Sequence, residues 1–251
     1  MGIGGAALAS AIGMVIQVLV AGTHFLSRKN KLKLIPPKHV ASSVAQIIGN
    51  GIPSFFNEFA NGFIVLLFNI QILKYCGESA LSVYSVISNC VILFNSLFTG
   101  VGQAVQPIIA TNYGGGKWDR IQKIRKMSFM TIFAMGLLFS LSGVLFPNGV
   151  CSVFMNPDKE MRNIAQTGVR MYFTAFLPMG INLLTSYYLQ SVLKVKKSLC
   201  ISLLRNVVLS SVAILAFPLL FGGNSLWLVM PVVEIVVLFI SIGFLQQQKM
   251  K

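Results

Sequence analysis

The sequence predicts an all-α, polytopic membrane protein of about seven transmembrane helices, and three observations carry that prediction. The 251 residues are 55% hydrophobic and only 10% charged, with a mean hydropathy of +0.76. A soluble domain with a solvated surface is more polar than this, so lipid is the expected solvent. Apolar runs of the length needed to cross a hydrocarbon core, about 20 residues, recur along the chain. Basic residues fall in short clusters between those runs, in alternate loops.

The runs cover residues 3–26, 40–73, 80–111, 127–146, 164–193, 199–220 and 226–245. The first is rich in Gly and Ala and has neither the basic flank nor the cleavage pattern of a signal peptide, so it reads as a helix begun midway through a longer chain. In the second, Ser43, Gln46, Asn50, Ser54, Asn57, Glu58, Asn61 and Asn69 project onto an arc of about 140° at 100° per residue. One face of that helix is therefore wet or hydrogen-bonded. The third repeats the design with Ser82, Ser85, Asn89, Ser96 and Gln103. Such stripes line cavities, but they also join helices through interhelical hydrogen bonds, and the pattern alone leaves both open.

After the third run, Gly114-Gly115-Gly116-Lys117 has the outline of a phosphate loop, but it follows a membrane helix and Trp118 stands where Ser or Thr is needed. It is read as a helix terminator whose glycines supply positive φ. Beyond the fourth run, Pro147, Asn148, Gly149 and Pro157 mark an external connection with a short amphipathic piece near residues 150–155. Asp158 and Glu160 belong to loops or helix ends, where capping is the expected role. The sixth run holds Arg205, the only basic residue well inside a span. It is expected to snorkel to the cytoplasmic surface, with a buried partner as the alternative.

Fifteen of the twenty Lys and Arg lie on one side, at residues 28–38, 117–126, 194–197 and 249–251. Only Lys74, Lys159, Arg162 and Arg170 lie on the other. Positive loops stay inside, which puts the C-terminus in the cytoplasm of a multi-pass plasma-membrane protein. The same distribution explains the net charge of +14 without a nucleic-acid partner, because the basic residues form no single face with base readers between them. Cys76, Cys90, Cys151 and Cys200 show no C-x-x-C pair, and His24 and His39 lie at a helix end and in a loop, so no metal site or disulfide framework is expected. A membrane-embedded enzyme would need a nucleophile–base or paired-carboxylate constellation at depth, for which neither histidine is placed.

Ionisable groups at bilayer depth are costly and are the default functional candidates. Two acids qualify: Glu58 near the middle of the second span, and Glu234 about 12 Å into the last at 1.5 Å per residue. The polar neighbours Asn57, Asn61, Asn89 and Asn182 join them as candidates for binding a coupling cation or substrate. Pro53, Pro107, Pro178 and Pro231 interrupt spans, and Pro53, Pro178 and Pro231 are candidate hinges or helix breaks. Tyr172, Tyr187 and Tyr188 offer rings to a cationic substrate or anchor helices at the interface.

Several stretches together resemble the multidrug and toxin extrusion (MATE) family. The most specific runs from Gly100 to Arg120, similar to that family's G-x-x-x-A-x-x-P-x-x-x-x-x-x-G segment and basic loop. Gly51-Ile52-Pro53, Lys74-Tyr75-Cys76-Gly77, and Trp227 with Pro231 and Glu234 also look like it. The resemblance implies one lobe of a twelve-helix transporter that exports cationic or amphipathic compounds in exchange for H⁺ or Na⁺, without a cofactor. Residues 40–251 would form a six-helix C-terminal lobe, and residues 1–39 the last helix of the first lobe, with Gly5 to Ala9 as its motif, plus a basic linker. That implies a truncated or split prokaryotic transporter, or a non-transporting fragment, with the first lobe separately encoded. Glu58 matches an acid that other members use, Glu234 matches one in a DinF-like branch, and Asn182 stands where some branches carry an acid in the tenth helix. A lipid-linked oligosaccharide flippase of the same superfamily is the alternative, but more Arg and Lys than Arg205 would be expected to meet a pyrophosphate.

Overall fold

The computed structural model describes the backbone of residues 2–26 and 40–246, and their side chains except those of 2, 3, 6, 24, 26, 40–43 and 45–58. Among the described residues there are helices and no strand. The chain divides into two units, Met1–Gly51 and Ile52–Lys251. The first contains helix α1 (Gly2–Leu26) and the opening turns of α2 (Val40–Cys76). Along α1, Met14, Val18 and Leu19 are exposed, as in a helix whose apolar surface meets lipid or another part of a protein.

The second unit holds the rest of α2, then α3 (Glu78–Gly114), α4 (Trp118–Leu145), α5 (Pro147–Phe154), α6 (Lys159–Phe173), α7 (Phe176–Ser191), α8 (Val195–Leu203), α9 (Leu209–Phe221) and α10 (Leu226–Gln246). A π-helical turn, Leu204–Val208, joins α8 to α9. Five stretches are long and apolar enough to cross a membrane: Phe59–Cys76, Glu78–Gly114, Trp118–Leu145, Val195–Phe221 and Gly223–Gln246. With the shorter apolar stretch Ala7–Thr23 of α1 they account for six of the seven apolar runs.

The seventh run is broken. Thr174 and Ala175 form a turn between α6 and α7, and the local chemistry explains why the chain tolerates it. Pro178 is the third residue of α7, where no intrahelical donor is required, so its missing N–H costs nothing there. The neighbouring orphan donor, Leu177 N–H, finds Ser140 Oγ of α4 at 3.2 Å. Thr174 Oγ1 donates to Met171 O at 2.7 Å. A hydroxyl near the end of α4 thus caps the start of α7.

The turns follow from their residues. Gly77 (φ +85°) ends α2 and returns its N–H to Ile72 O, while Gly116 (φ +65°) supplies the left-handed step after α3. Pro147 opens α5, and Asp158 caps α6 by accepting from Met161 N–H at 2.8 Å.

α7 is the hub, packed against α3, α4, α8 and α10. Small residues let neighbours approach α7 and the preceding α6. A Cβ on Gly102 would lie 2.3 Å from the Tyr187 ring, and one on Gly143 would lie 2.0 Å from Phe173. Phe173 is fully buried beside Phe94 and Phe176, so it has no room to retreat. Gly143→Ala should therefore destabilise the unit by roughly 1–3 kcal/mol through overpacking, read as a lower melting midpoint of the detergent-purified protein. An unchanged midpoint would show that α4 and α6 are not in this contact.

Candidate functional site: a buried ion pair beside a polar cavity

Glu234 lies in α10, one turn after Pro231, and is fully buried. Its cation is Arg205. The Arg205 guanidinium donates from Nε to Glu234 Oε1, and Arg205 is only 8% exposed. The expectation that Arg205 snorkels to the surface therefore fails, and the alternative of a buried partner holds. Arg205 stands ten residues into the Val195–Phe221 span, about 15 Å by helical rise, too deep for an uncompensated head group when an opposite charge is within reach.

The pair is completed by Asn182 of α7, which is also fully buried. Its Nδ2 donates to Glu234 Oε2 at 2.8 Å and to the Glu234 backbone carbonyl at 2.9 Å. Both carboxylate oxygens are thus hydrogen-bonded, one by a cation and one by an amide, which is what a buried carboxylate needs. Three helices converge on this one acid.

The π turn helps to place the guanidinium. Its extra residue interrupts the usual i→i−4 ladder, and Ser210 Oγ donates to the Arg205 carbonyl. Such bulges are frequent at functional sites.

Beside the pair lies a cavity of about 540 Å³. Polar groups of α2, α3 and the π turn line it, among them Asn61, Asn95, Thr99, Gln103 and Asn206. Tyr84, Tyr172 and Met230 form a more apolar wall that includes Arg205. Tyr84 and Tyr172 pack edge to face at 6.4 Å, with Phe68 stacked on Tyr84 at 5.1 Å.

The residues singled out from sequence separate into groups. Glu234 and Asn182 meet directly. Asn61 lines the cavity, whereas Asn89 donates its amide to Ser85 O of its own helix at 2.9 Å. Pro53, Asn57 and Glu58 lie in α2, but their side chains fall outside the described residues. Pro178 sits at the start of α7, and Pro231 lies inside α10. Tyr172 lines the cavity, Tyr187 packs on Gly102, and Tyr188 receives the Arg125 guanidinium 5.6 Å from its ring. Among the described residues no group of three or more His, Cys, Asp and Glu could hold a metal ion. The four cysteines are free, and burial pushes the thiol of Cys151, in α5, up from its ordinary value.

The MatE family model matches residues 53–215, most of the unit that carries this site. The chain belongs to the MatE family. Its members are transporters and not enzymes. The fold is that of solved MATE structures. An outward-facing multidrug resistance MATE transporter of the MOP superfamily matches with a TM-score of 0.78 at 16% identity over 97% of this chain and 55% of its own. A MOP superfamily transporter from Pyrococcus furiosus, described as having a binding pocket of reverse polarity, matches with a TM-score of 0.76 at 16% identity, covering 98% of this chain and 57% of its own. An inward-facing MATE transporter gives a TM-score of 0.76 at 16% identity, with 98% and 58% coverage. No curated protein matches the sequence. The chain spans little more than half the length of the solved transporters it resembles.

Proposed function

We propose that residues 40–251 form the C-terminal lobe of a DinF-like MATE antiporter that exports cationic or amphipathic compounds in exchange for H⁺ or Na⁺. Residues 1–39 would contribute the last helix of the first lobe and the basic linker. The observation that carries this reading is the cavity with polar groups in its lining and a buried ion pair in its wall, both carboxylate oxygens of Glu234 being hydrogen-bonded, in a chain of this family. Helices that only packed in lipid would have no need of it.

Glu234 has its cation already, in Arg205. The coupling ion is therefore assigned to Glu58, which precedes the cavity-lining Asn61 by three residues and shares its helix face. A charged Glu58 would hold the cation, and a protonated one would release it. The protein would sit in the prokaryotic plasma membrane with its C-terminus in the cytoplasm, following the basic loops.

Because the chain spans about 55% of the transporter it resembles, transport needs a complementary first lobe, whether joined to these residues or separately encoded. The test is dye accumulation in an efflux-deficient bacterial host expressing this chain with and without such a lobe. Export is expected only with the added lobe. Accumulation unchanged in both, with the chain present in the membrane, would contradict the proposal.

A further inference from the structure

We infer that the cavity beside Arg205 binds amphipathic molecules through a carboxylate, so that carboxylate-bearing amphiphiles belong to the substrate set. The inference rests on the transport reading for its biological use, but its chemistry stands on the cavity alone.

The ion pair is not symmetrical toward the cavity. Glu234 is fully buried and has both oxygens engaged, by Arg205 and by Asn182. Arg205 lines the cavity, with its side chain nine-tenths buried. The pair is therefore a dipole whose positive end meets the open space. Among the described residues the only hydrogen bond from its side chain is the one from Nε. A guanidinium carries five N–H donors in a planar fork, so the four on its terminal nitrogens are left for water or a ligand.

Among the described residues no other charged side chain lines the cavity, and the rest of that wall is neutral. Among the described residues none supplies a free carboxylate for a cationic ligand to pair with, and Glu58 is assigned to the coupling ion. A planar fork in a low-dielectric wall matches a carboxylate, which it can hold through two parallel hydrogen bonds. A pyrophosphate, with more charge, would call for several basic residues. The rings of Tyr84 and Tyr172, with Met230, give the apolar body of the ligand a surface, and Asn206 and Ser210 also line the cavity.

The experiment compares two probes with one aromatic body, 1-pyrenebutyrate and its trimethylammonium counterpart, binding to the full chain in lipid nanodiscs. The carboxylate should bind about tenfold more tightly, as expected for a charge-assisted, two-pronged contact. Glu234→Gln removes the carboxylate that competes for Arg205 and should tighten pyrenebutyrate binding several-fold. Because that variant leaves a buried guanidinium without its partner, the charge-free double variant Arg205→Gln/Glu234→Gln provides the second reading, and its affinities for the two probes should become equal. Equal affinity in the unsubstituted protein, absence of binding by either probe, or a preference that survives the double variant would each overturn the inference. Binding is read at equilibrium without export, so a failed transport assay with intact charge preference would count against the transport reading alone.

Discussion

Arg205→Ala should lower the stability of the helical unit by about 3–5 kcal/mol, because it strands a fully buried carboxylate by removing the cation paired with it. Asn182 cannot replace it, since one amide satisfies one oxygen and brings no charge. The measurement is a denaturant midpoint for the purified protein, compared with Arg205→Met/Glu234→Leu. The double variant removes both charges and keeps volume, so its cost should be far smaller than that of the single change, or absent. A single alanine variant as stable as the parent would mean that the two side chains are not paired at depth.

Glu58→Gln in the complete transporter should reduce export to the level of an empty vector while leaving the amount of protein in the membrane unchanged. The amide has the shape of the acid but can neither hold a cation by charge nor exchange a proton. Glu58 has a better claim to this task than Glu234 because Arg205 already neutralises the latter. Efflux measured in energised cells decides it. Undiminished export by Glu58→Gln would move the coupling site elsewhere.

The spans were legible in sequence because each depends only on the length and polarity of a local run. Gly116 and Asp158 were legible for the same reason, as turn and cap chemistry is written in neighbouring residues. The break at Thr174–Ala175 was not, since the donor it leaves is answered by Ser140, 37 residues away. The meeting of Arg205, Glu234 and Asn182 was half legible. Sequence places each of them at depth, but depth does not fix which way a side chain points around its helix, and the π turn changes that angle just where Arg205 stands. The signal that could have found the pair was arithmetic: a lone deep cation in one span and a deep acid in the next. Arg205 does not snorkel because moving its head group to the surface would leave Glu234 without this counter-charge.

If the cavity beside this pair serves transport, it is open to water, and thiol accessibility reads that out. In a background with Cys76, Cys90, Cys151 and Cys200 replaced by Ser, cysteine is placed at Asn206, which lines the cavity, or at Val212, which is 62% exposed along the same span. A membrane-impermeant maleimide needs a hydrated thiolate to react. Labelling of Asn206→Cys in intact proteoliposomes is expected, and none of Val212→Cys if that exposed apolar position meets lipid. Equal labelling at both positions, or labelling of Val212→Cys alone, would contradict that expectation.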